Sequence, residues 1–414
     1  MKQRKPFVTL FVLMLYFIQG HANEDFSAKV ERFELTTVPM IGTTAAGQQI
    51  ELGGFSGLRF LGKTADGKLL FLTHTDRGPN PEFYIDQGKV KRPFPIPDFN
   101  PRLVILVVDP INKTLQLRKQ IPLKNFVDKL ITGLPRSATH NEQPVDISGK
   151  NIPFDPLGMD LESIDVAGDQ SYWMGDEYGP SIAHFSPQGQ LIELFSPGKG
   201  LPQVLEQRQL NRGFEGLALQ GEKVYALVQS PLDNPKSKDE RNGKKSKNIR
   251  LIEFDSHSKQ TTGQFLYLLV DKEADRLGDM VSLGNGRFLV IEQNIKTDEH
   301  IDKKIFLIDL TQATNLEALD NNIIGAGGSL ESLTPKEIKA KGIQPVRKQE
   351  ILNLAALGIK DSKVEGITVV GPNQIALIVD NDFSLDGTLD RTHGIIGLQK
   401  NKTNFYLITL PNKL

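Results

Sequence analysis

Phe214-Glu215-Gly216-Leu217 opens the stretch that decides the fold. It runs through the turn Gln220-Gly221-Glu222 into the apolar run Val224-Tyr225-Ala226-Leu227-Val228 and stops at the polar Gln229. An apolar residue, a small or acidic pair, a second apolar residue, a turn and a strand ending on a polar residue make half of a β-meander. The same phrase recurs at Phe55-Ser56-Gly57-Leu58, Leu161-Glu162-Ser163-Ile164, Leu277-Gly278-Asp279-Met280 and Val364-Glu365-Gly366-Ile367. The strands that follow these copies end at Asp76, Asp176, Glu292 and Asp380. Recurrence of one phrase, with few sustained helical patterns, is the mark of a repeat architecture.

Further strand-like runs complete most copies, at residues 103–109, 114–121, 249–255, 304–309 and 405–410. Short helices are expected near residues 125–129 and 334–341. The unit of about four strands predicts an all-β chain: a single β-propeller of four-stranded blades, each burying a face against the next. A two-sheet sandwich fits less well, because nothing in it calls for an acid at one phase of every unit. Five repeats are counted, and the gap from Ser56 to Glu162 leaves room for a degenerate sixth. The fifth repeat shows three strands before Leu414, while residues 28–36 read as a strand with no unit of its own. An N-terminal strand added to the last blade would close the ring and remove its open edges.

The rest of the chain bounds the chemistry. With 414 residues, 39% of them hydrophobic, there is material for a sizeable core. The absence of Cys excludes disulfides, cysteine nucleophiles and iron–sulfur sites. Near-equal charge, 49 Lys and Arg against 50 Asp and Glu, lacks the basic excess of a nucleic-acid binder. Lys2, Arg4 and Lys5 precede an apolar run over residues 7–18 and then Gly20-His21-Ala22, the pattern of a signal peptide over residues 1–22. Its removal takes away three basic residues and no acid, so the formal charge moves from −1 to −4. One exported domain over residues 23–414, periplasmic or secreted, is expected, monomeric and without a membrane span. The basic stretch at residues 234–248 reads as a solvated insertion loop.

In a propeller the first strands of all blades converge on the axis. Glu162, Glu215, Asp279 and Glu365 would then ring one opening, with Ser56 in the matching place. Asp76, Asp176, Glu177, Gln229, Glu292, Asp380 and Asp382 would form a second tier. Clustered carboxylates repel one another unless protons or cations intervene, and oxygen-rich clusters suit Ca²⁺ or Mg²⁺. The candidate metal ligands are therefore Glu162, Glu215, Asp279, Glu365, Asp176 and Asp380, with Ca²⁺ favoured. Three arginines accompany them in Asp76-Arg77-Gly78-Pro79-Asn80, Asn211-Arg212-Gly213 and Asp275-Arg276-Leu277. Guanidinium groups bind phosphate or carboxylate in two-pronged fashion, which points to an anionic small molecule. Bridges between blades are the competing use of the same arginines. Arg77, Arg212, Arg276 and Glu177 are the candidate catalytic residues.

The motifs Asp76-Arg77-Gly78-Pro79-Asn80, Leu161-Glu162-Ser163-Ile164, Gly175-Asp176-Glu177-Tyr178-Gly179-Pro180 and Asn211-Arg212-Gly213-Phe214-Glu215-Gly216-Leu217 resemble those of the phytase-like family. The likeness runs from about Gly54 to Asp382. It implies an exported propeller with esterase-like activity on a phosphoester or carboxylic ester. A non-catalytic binding propeller and a lactonase-like enzyme are the alternative readings.

Other motifs carry less. Residues 57–64 match the P-loop pattern GxxxxGK[ST], but a turn and a strand follow where a P-loop needs a helix. No GxSxG elbow occurs. His74 and His184 are secondary candidates for general bases near the mouth. Residues 382–390 read either as an Asp-Gly turn or as the start of a calcium loop, with His393 where an EF-hand has Glu.

Overall fold

The computed structural model describes residues 28–137, 142–234, 246–269, 273–317 and 329–414. The signal-peptide reading, and most of the basic stretch at residues 234–248, lie outside the described residues. What is described is all-β and β-propeller-like, and each sequence repeat opens a four-stranded antiparallel meander.

The first meander runs Phe55–Lys63, Leu69–Thr75, Arg102–Asp109, Thr114–Pro122. The second starts at Leu161–Val166, the third at Phe214–Gln220 and the fourth at Arg276–Gly284. In the last, Val364–Gly371, Gln374–Val379 and Thr403–Thr409 are completed by the N-terminal strand Lys29–Leu35. That strand pairs in unbroken register from Lys29↔Thr409 to Leu35↔Thr403, as expected. It also meets the first meander through the parallel pair Leu35↔Leu115, so the first and last sheets join edge to edge.

Core residues lie in layers between successive sheets. Leu72 and Leu103 pack with Ile164 and Met174 between the first and second. Trp173 and Ile182 share a larger cluster with Leu217, Ala226, Met280 and Val290 of the third and fourth. Leu289 and Ile291 meet Ile367 and Leu377, and Ala376 and Ile378 meet Phe55, Phe71 and Leu106. Alternate side chains of one strand face opposite neighbours. Hence Ile375, Leu377 and Val379 serve one layer and Ala376 and Ile378 the other. A strand buried on both faces must read as a continuous apolar run, and these do. Each fully buried Phe or Leu contributes about 1.5–3 kcal/mol.

The repeated phrase is a bulge. Pairing between the first and second strands skips at Leu161/Ser163, Phe214/Gly216 and Val364/Gly366. Glu162, Glu215 and Glu365 are the skipped residues. A bulge frees one residue from the ladder and re-aims its side chain, which is how an acid in a buried strand reaches the axis. The residue after each acid must be small: a Cβ on Gly216 would come within 2.9 Å of Met280, and one on Gly366 within 2.8 Å of the Gly57 backbone.

Some expectations need correction. Residues 125–129 form a turn closed by the Lys124↔Leu130 bridge, because Asn125 Oδ1 accepts the amides of Val127 and Lys129 in place of helical partners. The helix Pro335–Ala340 does form, with a Thr334/Glu337 capping box. Among the described residues, the stretch between Ser56 and Glu162 makes no further four-stranded sheet. It completes the first meander and builds a lip in which Gln143–Val145 pairs with Lys89–Pro93, and that with Tyr84–Asp86. The P-loop-like stretch is a strand, turn and strand. Asp386 folds back to accept Thr388 N and Oγ1 on an exposed hairpin. Among the described residues, no helix is long and apolar enough to cross a membrane.

Candidate functional site

At one end of the axis, under the lip, lies a cavity of about 280 Å³ walled almost wholly by charged side chains. The bulges supply Glu162, Glu215 and Glu365; the ends of second strands supply Asp76, Glu177, Gln229, Asp380 and Asp382. Arg77, Arg212 and Arg276 line it too, as do Arg92 and Lys363. Sequence repeats thus bring together most of the predicted site.

Asp160, Glu162 and Glu177 form its acidic focus, each offering an oxygen within 4.8 Å of the others. Asp160 was not among the sequence candidates, since it precedes the repeat phrase by one residue. Its position is tied down by Asp160 N donating to Asp176 Oδ1 (2.8 Å) and Glu177 N donating to Asp160 O (2.8 Å). Burial, then the neighbouring carboxylates, push Glu162 and Glu177 well above the usual carboxylate range. Asp160 is raised by burial and pulled back by Arg77. Glu215 is raised well above its ordinary value by burial and then by Glu365, although Gln229 Nε2 donates to its Oε2 (2.8 Å). Asp380 is pushed up to about 7 by burial and Asp382, against the pull of Lys363.

The arginines differ in how they are used. Arg77 is buried and committed to the protein: Nη1 donates to Asn211 Oδ1 (2.8 Å) and Glu142 Oε2 (3.3 Å), and Nη2 to Asn80 Oδ1 (3.3 Å). Arg92 grips Glu142 with both prongs, at 2.9 and 2.7 Å. Arg276 turns to Asp275 (2.9 Å). Arg212 makes no hydrogen bond or ion pair among the described residues and also borders a neighbouring cavity of about 260 Å³. It is the arginine left for a ligand.

Two predicted ligands stand elsewhere. Asp176 lies behind the focus, accepting from Ser181 Oγ (2.9 Å) and pairing with Arg136 (3.0 Å) while it fixes Asp160. Asp279 sits deeper on the axis and accepts the amides of Leu58 (3.3 Å), Ile367 (3.1 Å) and Met280 (2.8 Å). It is also ion-paired with Arg59 at 3.1 Å. The reason is phase: in the other acidic repeats the acid is the second residue of the phrase, and in Leu277-Gly278-Asp279-Met280 it is the third. One step along a strand turns the side chain to the other face. Glu292 likewise turns away, accepting from Tyr267 (2.8 Å) and bonding Lys348. Ser56 is buried and donates to Glu162 Oε2 (2.8 Å).

The histidines are not bases at this mouth. His74 is buried beside Thr75 O and pushed down to about 3 by burial, so it stays neutral at working pH. His184 stacks on Trp173 at 4.2 Å and bonds Glu193 and Ser171 in mid-sheet.

The sequence profile of the phytase-like family, described as esterase-like activity of phytase, matches residues 50–383. The chain belongs to that family. A curated relative from Arthroderma benhamiae, an uncharacterized secreted protein, is 29% identical over a stretch covering 24% of each chain. The chain thus spans about a quarter of that relative's length. Among solved structures, a luciferin-regenerating enzyme is similar at 10% identity, covering 92% of this chain and 95% of that one with a TM-score of 0.37. A PQQ-bound aldose sugar dehydrogenase from Streptomyces coelicolor is similar at 11% identity, covering 92% and 99%, with a TM-score of 0.33. Likeness at that level says nothing about chemistry.

Proposed function

We propose that this phytase-like chain is an exported, closed five-bladed propeller that hydrolyses an anionic phosphoester or carboxylic ester at its mouth with the help of a divalent cation. The observation that carries this is the convergence of Asp160, Glu162 and Glu177 in a cavity that also holds an unpartnered arginine. Export is supported by the leader-like residues 1–22 and by the secreted relative.

The residues fit a hard cation. The focus offers carboxylate oxygens only, and Asp160 Oδ2 is buried without a hydrogen-bond partner, its nearest counter-charge being Arg77 Nη1 at 3.4 Å. Asp160, Glu162 and Glu177 would hold the ion, with Ca²⁺ favoured. A bound ion polarises the ester and lowers the pKa of water. Arg212 takes the substrate's anionic group, and Arg276 adds positive charge beside it. Glu215, whose carboxyl is raised by burial and Glu365, is the proton donor to the leaving oxygen in this reading. Water supplies the oxygen that replaces the leaving group, and its proton passes to a neighbouring carboxylate. Water is the nucleophile in this reading, with the cavity's carboxylates as acceptors for its proton.

The test is a hydrolase panel on the purified mature chain, with phytate, nitrophenyl phosphate and nitrophenyl esters, each with Ca²⁺ and with chelator. Cation-dependent turnover on one class is expected. Absence of turnover on all would return the chain to a binding propeller.

A further inference from the structure

The cavity is polar on every side but one. Among the described residues lining it, Phe83 is the single hydrocarbon side chain, and it is 47% exposed. An exposed phenyl ring has no claim on notice by itself; its fixation does. The Arg92 guanidinium lies 5.2 Å from the ring centre, and Arg92 is held by two bonds to Glu142 and one to Pro81 O (3.1 Å). On one side of Phe83 in the chain, Glu82 N donates to Gly387 O (2.8 Å). On the other, Tyr84 pairs with Lys91 and its ring carries Arg391 at 4.4 Å. The ring therefore stands exposed on the cavity wall, with both chain neighbours tied and a guanidinium held against it. A fully polar substrate would gain nothing from it.

We infer that Phe83 is a stacking platform and that the mouth selects aryl anions: a flat aryl ring laid on Phe83 and an anionic group on Arg212. The inference rests on the reading of this cavity as the site for anionic esters, and names the shape of the ester. Aromatic faces favour flat partners, by an amount equivalent to roughly three- to tenfold in affinity.

Two non-hydrolysable probes, phenylphosphonate and methylphosphonate, separate the ring from the charge. With Ca²⁺ present, calorimetry should find phenylphosphonate roughly three- to tenfold tighter on the native chain. Phe83→Ala should bring the two probes level by weakening phenylphosphonate alone, and Phe83→Tyr should keep the preference. Unchanged melting temperatures certify that both variants fold. Equal binding of the probes to the native chain, no binding of either, or a preference that survives Phe83→Ala overturns the inference. Ring preference without hydrolysis on any substrate would sink the hydrolase reading and leave Phe83 standing; hydrolysis without ring preference would do the reverse.

Discussion

The two ends of the acidic axis use the same residue types to opposite ends. Deep on the axis, Arg59 is buried and tied to every other meander. Its guanidinium pairs with Asp279 (3.1 Å) and Asp165 (3.2 Å) and donates to Met280 O (2.9 Å), Ile367 O (3.2 Å) and Leu217 O. That one side chain stitches the first strand of the first meander to the first strands of the other four. At the mouth, carboxylates outnumber their partners, Asp160 Oδ2 has no hydrogen bond, and Arg212 makes no ion pair among the described residues. A buried charge that joins neighbouring sheets is architecture, and a cluster in which carboxylates exceed cations is prepared for a ligand. The comparison makes the acids separable by experiment.

The largest effect should come from the plug. Arg59→Met leaves Asp279 buried without its cation, and removing one partner of a buried pair costs about 3–5 kcal/mol. The midpoint of chemical denaturation should fall accordingly, and adding Asp279→Asn should recover part of the loss. A cost within 0.5 kcal/mol, the ordinary surface range, would erase the distinction between the two ends.

The mouth should respond to cation instead. Ca²⁺ at a hundredfold excess over its dissociation constant should stabilise the chain by about 2.7 kcal/mol, read as a rise in melting temperature. Glu215→Gln removes a charge at nearly constant volume. It should cut hydrolysis roughly a hundredfold or more if Glu215 is the proton donor. In chelator the same variant should be as stable as the native chain or more so, because a repelled carboxylate is gone. Destabilisation in chelator with full activity would move Glu215 to the architectural group.

Acidity sharpens the contrast further. Carboxylates at the mouth are raised in the folded chain, Asp380 to about 7 from an ordinary 3.8. Between these values the folded state binds more protons than the unfolded one, so in chelator stability should fall as pH rises from about 4 through 7. Saturating Ca²⁺ should flatten or reverse that slope, since the ionised carboxylates are then compensated. Melts across pH 4–8, with and without Ca²⁺, check the sign. Equal slopes would mean that no cation sits there.

Much of this was legible in the sequence, for a physical reason. A bulge that must aim an acid at the axis needs the same phrase in each blade, so Glu162, Glu215 and Glu365 announce themselves by recurrence. The acidic strand ends Asp76, Glu177 and Asp380 follow the phrase at the end of the next apolar run. Asp160 has no repeat to betray it; the signal available was an acid directly before the second phrase. Asp279 misled because type was read without phase. The lip was hidden because Lys89–Pro93 takes its second partner, Gln143–Val145, from some fifty residues on, and parallel pairing at that separation leaves no local pattern. Arg59 lay inside a P-loop-like string whose interest was spent once the helix was missing.

The smallest expected change in stability belongs to Arg212→Gln. Arg212 has no partner among the described residues, so its removal breaks no bond and should leave stability within about 0.5 kcal/mol. The wall loses one cation that faces Arg276, which burial and that neighbour already discourage: both hold the Arg212 guanidinium below its ordinary value. A ligand should feel the change far more than the fold does. Hydrogen bonds between charged groups contribute about 1.5–3 kcal/mol, so anion affinity should drop at least roughly tenfold. That drop should be the same for methylphosphonate and phenylphosphonate, because the charge and not the ring is lost. Calorimetry with both probes beside a thermal melt reads all three quantities on one sample. If the variant melts several degrees lower while binding stays intact, Arg212 belongs with Arg59 as a strut between sheets, and the anion site must be sought at Arg276 or Lys363.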